Sequence, residues 1–346
     1  MIQSKIEYNS IDILKFLLAI CIVAIHAQIL DLNVYSDWMI SSMIFRLGVP
    51  FFFVVSGFFL AGKLYKCGND KIEGRKTIIG YCKKLLPPLI IWGGYGLILR
   101  IIHWVKTDTD TLHFVYYITR TIFYPLSAMW YLWASIIGAF ILFYIYSHSK
   151  HWKRVWLIYS ILAYTFLLLN NNYNFLVEDT VFEQPFFYYR ILFASPRNGV
   201  FLAPVYLGIG FMLRDEKLFH YFRLNKWIPV TGCIGGFVLL FTEATFLFGC
   251  NGTDDRGFFI SQLILIPSIV VTAMLFNVKL RLPYTMLRRM SIGIYFTHAS
   301  IIGTCRFIPG LTDCPNKIFT ISLILSITLS LLSYFSGNKR LQLLLG

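Results

Sequence analysis

Long apolar runs separated by short polar segments repeat along the whole chain of 346 residues. Charged or turn-forming residues bound each run, and most runs are long enough for a helix that crosses a bilayer, straight, tilted or broken. The pattern predicts ten spans, at residues 11–30, 38–62, 86–104, 127–147, 155–170, 198–213, 227–248, 257–277, 291–307 and 317–335. We therefore predict an all-α polytopic membrane protein in which residues 1–346 form one integral membrane domain.

Composition supports this prediction, because 57% of the residues are hydrophobic, 14% are charged and the mean hydropathy is +0.65. Soluble domains do not have this composition. The first apolar run is not followed by a small-residue cleavage pattern, so we interpret it as a retained span. The seven cysteines form no CxxC pair, which argues against a zinc site or a redox dithiol. If two of them pair, we expect Cys250 and Cys314, which lie in predicted external loops.

The net charge of +14 is spread in short clusters between the apolar runs, so it indicates membrane topology rather than a nucleic-acid surface. With both termini in the cytoplasm, the internal segments hold 21 Lys and Arg residues and the external segments hold 6. Two external segments are long. Residues 105–126 are apolar and aromatic, and we predict an interfacial or re-entrant helix there. Residues 171–197 mix aromatic, acidic and Arg residues, as expected at the rim of a binding site.

Ionisable side chains inside predicted spans are the first functional candidates, because each costs roughly 2.5–3.5 kcal/mol to insert into a bilayer. The candidates are His26, Arg46, Glu243 and His298. Two further arginines, at positions 100 and 306, lie nearer span ends, where a long side chain can reach the interface, and we set them aside.

His26 has two readings. It is a neutral ring satisfied by a backbone carbonyl or a Ser, or it is a general base in a polar cavity. Lys15 favours the second reading, because it precedes His26 by 11 residues and therefore lies on the same helix face, about 16.5 Å nearer the cytoplasm. A cation there would hold the anionic head of a long ligand whose reactive end reaches His26. Considered alone, Lys15 is equally well explained as a topology anchor.

Arg46 begins a segment in which Gly48, Pro50 and Gly57 allow close helix packing and a local break. The same residues are also common in ordinary membrane helices. Glu243 lacks a partner on its own helix, so we expect it to pair with Arg46 or a histidine, unless it lies at the external end of its span.

The loop predicted at residues 63–84 is strongly basic and ends just before a helix that begins with two prolines. Lys83 and Lys84 would lie at the cytoplasmic membrane surface, where they suit phosphate groups. Binding of lipid headgroups explains them equally well.

Four segments together resemble the bacterial membrane acyltransferase-3 family. "KFLLAICIVAIH" is similar to its first helix, with Lys15 where Arg is usual and His26 after ten intervening residues. "VPFFFVVSGFF" at 49–59 resembles its Val-Pro-x-Phe-Phe-x-x-Ser-Gly signature. "MWYLWASIIG" at 129–138 and "SIGIYFTHASII" at 291–302 resemble its Leu-Trp-Tyr/Phe-Leu and Gly-Ile-Tyr-x-x-His segments. The similarity covers residues 8 to about 335.

The chain departs from the family at the basic Arg-x-x-Arg motif, where "YCKK" offers Tyr81 and Lys84 with Lys83 adjacent. The chain is most similar to the enterobacterial common antigen O-acetyltransferase type and is also similar to the membrane half of serine/alanine racemases. The resemblance implies a multi-pass protein of the bacterial inner membrane. It would transfer an acyl group, most often acetyl, from cytoplasmic acyl-CoA to a hydroxyl of an envelope glycan or a lipid-linked saccharide at the external side.

The resemblance also implies roles for individual residues. His26 would be the general base or carry the acyl group briefly, Arg46 would stabilise the oxyanion or the CoA, and His298 would position the acceptor. The cations expected to hold CoA phosphates are Lys15, Lys83 and Lys84. The residues expected to contact the acceptor are Trp130, Tyr131, Arg197 and Glu243. We expect no metal.

Two other functions fit part of the pattern. The intramembrane His, Arg and Glu residues would also suit a proton-coupled transporter of a small polar solute such as an amino acid. A non-catalytic scaffold or a polymer flippase would tolerate loss of both Lys15 and His26. Transfer of labelled acetyl groups separates the first function from both alternatives.

Overall fold

The computed structural model describes residues 7–68, 70–107, 127–251 and 257–345, with a few isolated positions between 110 and 121. In these ranges the chain forms helices and no β-strand. The helices are α1 (Asn9–Ala27), α2 (Val34–Met43), α3 (Gly48–Leu64), α4 (Lys71–Lys106), α5 (Trp130–His148), α6 (Trp152–Leu169), α7 (Glu183–Phe193), α8 (Ala203–Leu213), α9 (Glu216–Leu224), α10 (Trp227–Asn251), α11 (Gln262–Leu275), α12 (Tyr284–Cys305), α13 (Pro315–Ser336) and α14 (Lys339–Leu345).

Each of the ten predicted apolar runs overlaps one of these helices or, for the second run, two of them. Within the described residues, seven helical segments are long and apolar enough to cross a membrane, and α8 and α11 are shorter apolar helices. The predicted class, an all-α polytopic membrane protein, is confirmed. Helix α7 lies inside the 171–197 segment, where we predicted no helix. Most of the predicted interfacial helix at 105–126 lies outside the described residues, and Cys250 and Cys314 are both unpaired.

The second predicted span is broken around Arg46. Helix α2 ends at Met43, a single 3₁₀ turn spans Phe45–Leu47, and α3 then begins at Gly48. The break therefore comes before the glycine and proline to which the sequence analysis assigned it. Pro50 lies in the first turn of α3. Backbone N–H groups in the first turn donate no hydrogen bond within the helix, so a proline costs nothing there. As a result, the Arg46 side chain projects from a bend between two helices and not from the middle of a straight helix.

Helix α4 is longer than predicted, because it begins at Lys71 and not near the prolines. The Asp70 carboxylate starts it by accepting hydrogen bonds from the backbone N–H groups of Ile72 (2.9 Å) and Glu73 (3.1 Å). Lys83 and Lys84 are therefore helical, and the prediction of a basic loop at 63–84 is wrong from Lys71 onward. Pro87 and Pro88 lie within α4, so the carbonyls of Lys83 and Lys84 receive no helical hydrogen bond.

Two hydrophobic cores lie side by side. The larger core is formed mainly by α3, α5, α6, α8, α10 and α11. The smaller core joins α1, α12 and α13 through residues such as Val23, Ile294 and Ile318. A third cluster, which includes Ile22 and Tyr295, bridges the two. A site between the cores can therefore take side chains from helices that are far apart in sequence.

Helices α3 and α8 pack with almost no space between their backbones. A Cβ atom added to Gly57 would lie 2.1 Å from the carbonyl oxygen of Leu207, and one added to Gly210 would lie 2.1 Å from the carbonyl oxygen of Val54. Glycine is therefore required at both positions, because small residues let membrane helices approach closely. The close packing expected of Gly57 is confirmed.

We predict that Gly57→Leu destabilises the folded protein by about 1–3 kcal/mol or more, because α3 and α8 must move apart to admit the side chain. The measurement is the thermal unfolding midpoint in detergent, together with the yield of monodisperse protein. Gly80→Ala in α4 is the control, since a Cβ there would have no neighbour within 4 Å. Equal midpoints for the two variants would contradict the packing described above.

Candidate active site

His26 lies in the last turn of α1, nearer to a helix end than its place in the predicted span 11–30 indicated. The helix ends at Ala27 because Gln28 adopts a left-handed conformation, with φ 59°, and its N–H closes back onto the carbonyls of Ala24 and Ile25. Residues 29–30 extended the apolar run beyond the true helix end. His26 is therefore close to the end of the bundle that the charge distribution assigns to the outside.

A cavity of about 260 Å³ lies against His26, between the two hydrophobic cores. We call it the His26 cavity. The polar and aromatic side chains that line it are His26, Gln28, Phe45, Trp130, Tyr131, Phe258, Tyr295 and three arginines, Arg46, Arg197 and Arg306. A histidine that borders such a space can contact a bound molecule directly, which a histidine satisfied within a packed core cannot do.

Five side chains predicted to be functional meet in this cavity. His26 comes from α1, Arg46 from the bend before α3, and Trp130 and Tyr131 from the first turn of α5. Arg197 precedes α8 and comes from the segment predicted to form the rim of a binding site. Only the fold brings these positions together, since they are separated by up to 171 residues in the sequence.

The Arg46 guanidinium is held from two sides. Its Nε donates a hydrogen bond to the Ser41 hydroxyl at 3.2 Å, and the backbone of Gly257 packs against it closely. A Cβ atom at position 257 would lie only 2.3 Å from Arg46 Nη1. Arg197 stacks over the ring of Phe258, with 5.5 Å between the guanidinium carbon and the ring centroid. Two positive charges thus face the cavity near the His26 ring.

Arg306, which the sequence analysis set aside, also belongs to the site. Its Nη2 donates to the backbone carbonyl of His26 at 3.1 Å and to the Gln28 side chain at 3.4 Å. Arg306 and His26 also line a second cavity of about 480 Å³, together with Arg100 and His103. The external positions of this chain carry few cations, so an arginine there is a better functional candidate than a membrane anchor. That signal was available in the sequence.

Polar groups continue from the cavity toward the opposite end of the bundle. The Tyr131 hydroxyl lies 3.4 Å from the Ser56 hydroxyl, and Tyr81 of α4 lies next to Ser56, Tyr131 and Ser135. Ser56 belongs to the "VVSG" segment of α3, and Tyr81 is three residues before Lys84. The hydroxyl groups of Tyr81, Ser56 and Tyr131 therefore form a row between the part of α4 that carries the lysines and the His26 cavity.

The predicted lysines lie outside the lining of the His26 cavity. Lys15 is about two turns before Ile22, the first α1 residue of the lining, and its ammonium group lies 5.4 Å from the centroid of the Phe59 ring. Lys83 and Lys84 lie in the N-terminal half of α4 and are also absent from the lining. Lys15, Lys83 and Lys84 therefore remain predictions for a donor entrance and do not contact the space beside His26.

His298 does not line the cavity either, so its predicted role in positioning the acceptor stays a prediction and has no direct contact with this space behind it. Its side chain is fully buried, and its ring centroid lies 5.2 Å from that of His26. The position is fixed by packing between α12 and α13, where the adjacent Thr297 donates a hydrogen bond to Ser326 at 2.8 Å. His298 thus stands behind His26 as seen from the cavity.

Glu243 has a structural role, and its predicted pairing with Arg46 or a histidine is wrong. Its carboxylate accepts hydrogen bonds from the backbone N–H groups of Ile260 (2.7 Å) and Ser261 (2.8 Å) and from the Tyr173 hydroxyl (2.6 Å). These N–H groups precede α11, where a negative charge is stabilised by the helix dipole. Glu243 therefore fixes the start of α11 and is absent from the lining of the His26 cavity.

The fold and the cavity define a polytopic helical membrane protein that carries a histidine and several arginines in a space between its helices. The family model described as an acyltransferase domain, that of the acyltransferase-3 family, matches residues 8–335. The chain therefore belongs to the acyltransferase-3 family, and its long apolar helices are those of a multi-pass membrane protein. The resemblance inferred from the four sequence segments is confirmed.

Two similar curated proteins are enterococcal. An amino-acid racemase of Enterococcus faecalis is 28% identical over 319 residues, which cover 87% of this chain and 40% of the relative. A serine/alanine racemase of Enterococcus gallinarum is 24% identical over 344 residues, which cover 96% of this chain and 46% of the relative. The chain spans less than half the length of these relatives, so the racemase names describe longer proteins. No solved structure matched the chain.

Proposed function

We propose that this protein moves an acyl group, in the first instance acetyl, from cytoplasmic acyl-CoA to a hydroxyl of an envelope glycan or related acceptor on the outside of the bacterial inner membrane. The observation that carries the proposal is the convergence of His26, Arg46, Trp130, Tyr131 and Arg197 on one cavity between the helices. These residues come from four separate segments, and family membership makes acyl transfer the chemistry to expect of such a site.

The proposed reaction uses His26 as the general base. Its ring nitrogen takes the proton of the acceptor hydroxyl while the acceptor oxygen attacks the thioester carbonyl. The carbon–sulfur bond then breaks, and the departing CoA thiolate takes the proton back from His26. Arg46 is the candidate to stabilise the oxyanion that develops on the carbonyl oxygen, because a guanidinium fixed by its neighbours need not reorganise during the reaction.

The donor would enter from the cytoplasmic end. Lys83 and Lys84, with Lys15 on α1, are suited to bind the phosphates of CoA. The row of hydroxyl groups formed by Tyr81, Ser56 and Tyr131 supports a route for the polar pantetheine arm. Tyr81 and Lys84 occupy the positions of the two arginines in the family motif. Because Tyr81 is uncharged, Lys84 and the adjacent Lys83 would supply the positive charge that the two arginines supply in the family motif.

The acceptor would approach from the opposite end. Trp130 and Tyr131 offer aromatic faces, and Arg197 offers a donor fork, all within the lining of the His26 cavity. The donor and the acceptor would thus reach one site from opposite ends of the helix bundle, as transfer across a membrane requires.

The test uses membrane vesicles of the producing bacterium. Inside-out vesicles expose the cytoplasmic face, so added [14C]acetyl-CoA should label a product from which mild alkali releases acetate. Right-side-out vesicles should label it only after they are loaded with [14C]acetyl-CoA. Vesicles from a deletion strain provide the background. Absence of protein-dependent label would refute the proposal, and uptake of labelled serine by proteoliposomes without acyl-CoA would favour a transporter.

A further inference from the structure

The two intramembrane histidines lie side by side. The ring centroids of His26 and His298 are 5.2 Å apart and the rings are inclined by 45°. At this separation the ring nitrogens can reach hydrogen-bond distance when their edges face each other, which needs only rotation about the bonds to the rings. Helices α1 and α12 hold the two rings in place, and both belong to the smaller hydrophobic core.

The hydrogen-bonding pattern of His298 fixes its tautomer. Its Nδ1 lies 2.8 Å from the backbone carbonyl of Ile294, and a carbonyl oxygen can only accept, so Nδ1 carries the hydrogen. The lone pair of the neutral ring is then on Nε2. That atom is buried and has no hydrogen-bond partner among the described residues. A buried acceptor without a partner is unfavourable and calls for an explanation.

We propose that His298 is a positioning residue for His26, and that its Nε2 accepts a hydrogen bond from the His26 ring N–H during the reaction. The proposal rests on the proposed function of His26 as a base. With one His26 nitrogen committed to His298, the lone pair of the other is aimed into the His26 cavity. The present separation is consistent with this role, because catalytic hydrogen bonds are often long before substrate binds.

No proton is transferred to His298 in this step. His26 takes the hydroxyl proton of the acceptor on its cavity-facing nitrogen and becomes an imidazolium, whose other N–H donates to His298 Nε2. When the thioester carbon–sulfur bond breaks, the same proton passes to the CoA thiolate, and both histidines return to their neutral forms. His298 thus plays the part that a carboxylate plays beside other catalytic histidines, without bringing a negative charge into the membrane.

Two substitutions at position 298 separate this role from simple packing. His298→Asn keeps an N–H donor for the Ile294 carbonyl but removes the acceptor at the Nε2 position, whereas His298→Gln places an amide oxygen there. We expect the Asn variant to lose roughly 10- to 100-fold in kcat for acetyl transfer with an unchanged KM for acetyl-CoA. We expect the Gln variant to stay within about threefold of the unsubstituted protein, since an amide oxygen accepts an N–H bond.

Combined substitutions supply a second criterion. If His298 acts only through His26, adding His298→Asn to His26→Gln should cause no further loss of activity. Thr297→Val is the packing control, because it removes a buried hydrogen bond between α12 and α13 beside His298 and touches neither ring. It should lower stability without changing kcat. Equal losses for the Asn and Gln variants, in protein that remains folded, would overturn the proposal.

A measurement that needs neither acyl-CoA nor acceptor keeps this inference separate from the proposed function. Diethyl pyrocarbonate acylates neutral imidazole, and the rate at His26 is obtained by peptide mass spectrometry. We expect that rate to fall several-fold in His298→Asn and to be kept in His298→Gln. Unchanged rates in both variants would refute the His26–His298 contact. A reduced rate in a protein that never transfers acetyl would refute the proposed function alone.

Discussion

His26→Gln is expected to lower the rate of acetyl transfer by roughly 10²–10⁴-fold, the usual contribution of a positioned general base. The amide cannot take the acceptor proton, although it fills most of the space of the ring and leaves the carbonyl that binds Arg306 unchanged. The KM for acetyl-CoA should stay within about twofold, because removal of a base affects the transition state rather than donor binding. The measurement is the initial rate of label transfer per folded molecule in inside-out vesicles.

His151→Gln is the matched control for this substitution. His151 is exposed and lies just before α6, away from the His26 cavity, so its loss should leave the rate unchanged. A normal rate in His26→Gln would show that the ring is not the base. The cavity would then have to bind a ligand in some other way.

Arg46→Gln is expected to lower kcat by roughly 10²–10³-fold, the loss usually seen when one donor to a developing oxyanion is removed. Its guanidinium lines the cavity beside His26 and is fixed by Ser41 and by the backbone of Gly257. Thermal unfolding of the variant, followed beside the transfer assay, shows whether the effect is on chemistry or on folding.

Gly257→Ala tests the same guanidinium without removing it. The new Cβ would lie 2.3 Å from Arg46 Nη1, so the flexible end of the arginine must move while the backbone can stay. We expect the variant to fold normally. Its kcat should fall by about 10-fold or more relative to the unsubstituted protein, a smaller loss than that of Arg46→Gln. Gly249→Ala near the end of α10 is the control, since a Cβ there meets nothing within 4 Å. Full activity in Gly257→Ala would argue against a defined position for Arg46 in the reaction.

Hydropathy located the helices well because a bilayer imposes one requirement on every span. Each backbone polar group in the hydrocarbon must be satisfied within the helix, so an apolar run of sufficient length has few alternatives. The ends were less certain, since apolar residues continue past a helix end wherever the surroundings remain apolar. The left-handed Gln28 ends α1 inside its apolar run, and the Asp70 cap starts α4 well before its run.

The candidate residues divide in the same way. Family motifs selected His26, Trp130 and Tyr131, and these three residues line one cavity, because a motif records positions that lie close together in folded relatives. Arg46 was found from its insertion cost alone. The same cost also selected Glu243, although its carboxylate binds the backbone N–H groups just before α11 and is absent from the cavity lining. An insertion cost shows that a buried charge needs a partner and does not identify that partner.

Hydropathy and the sequence motifs were enough to identify the class of protein, the order of its membrane helices, its family and His26 as the central candidate residue. These properties depend on the solvent that each segment prefers and on motifs within single helices. Three relations could be seen only in the packed helices. Arg197 and Arg306 line the same cavity as His26, the buried acceptor nitrogen of His298 lies beside His26 and outside the lining, and Lys15 also lies outside the lining. Those relations depend on how helices far apart in sequence pack against one another, and side-chain packing between helices leaves no periodic signal along a single chain.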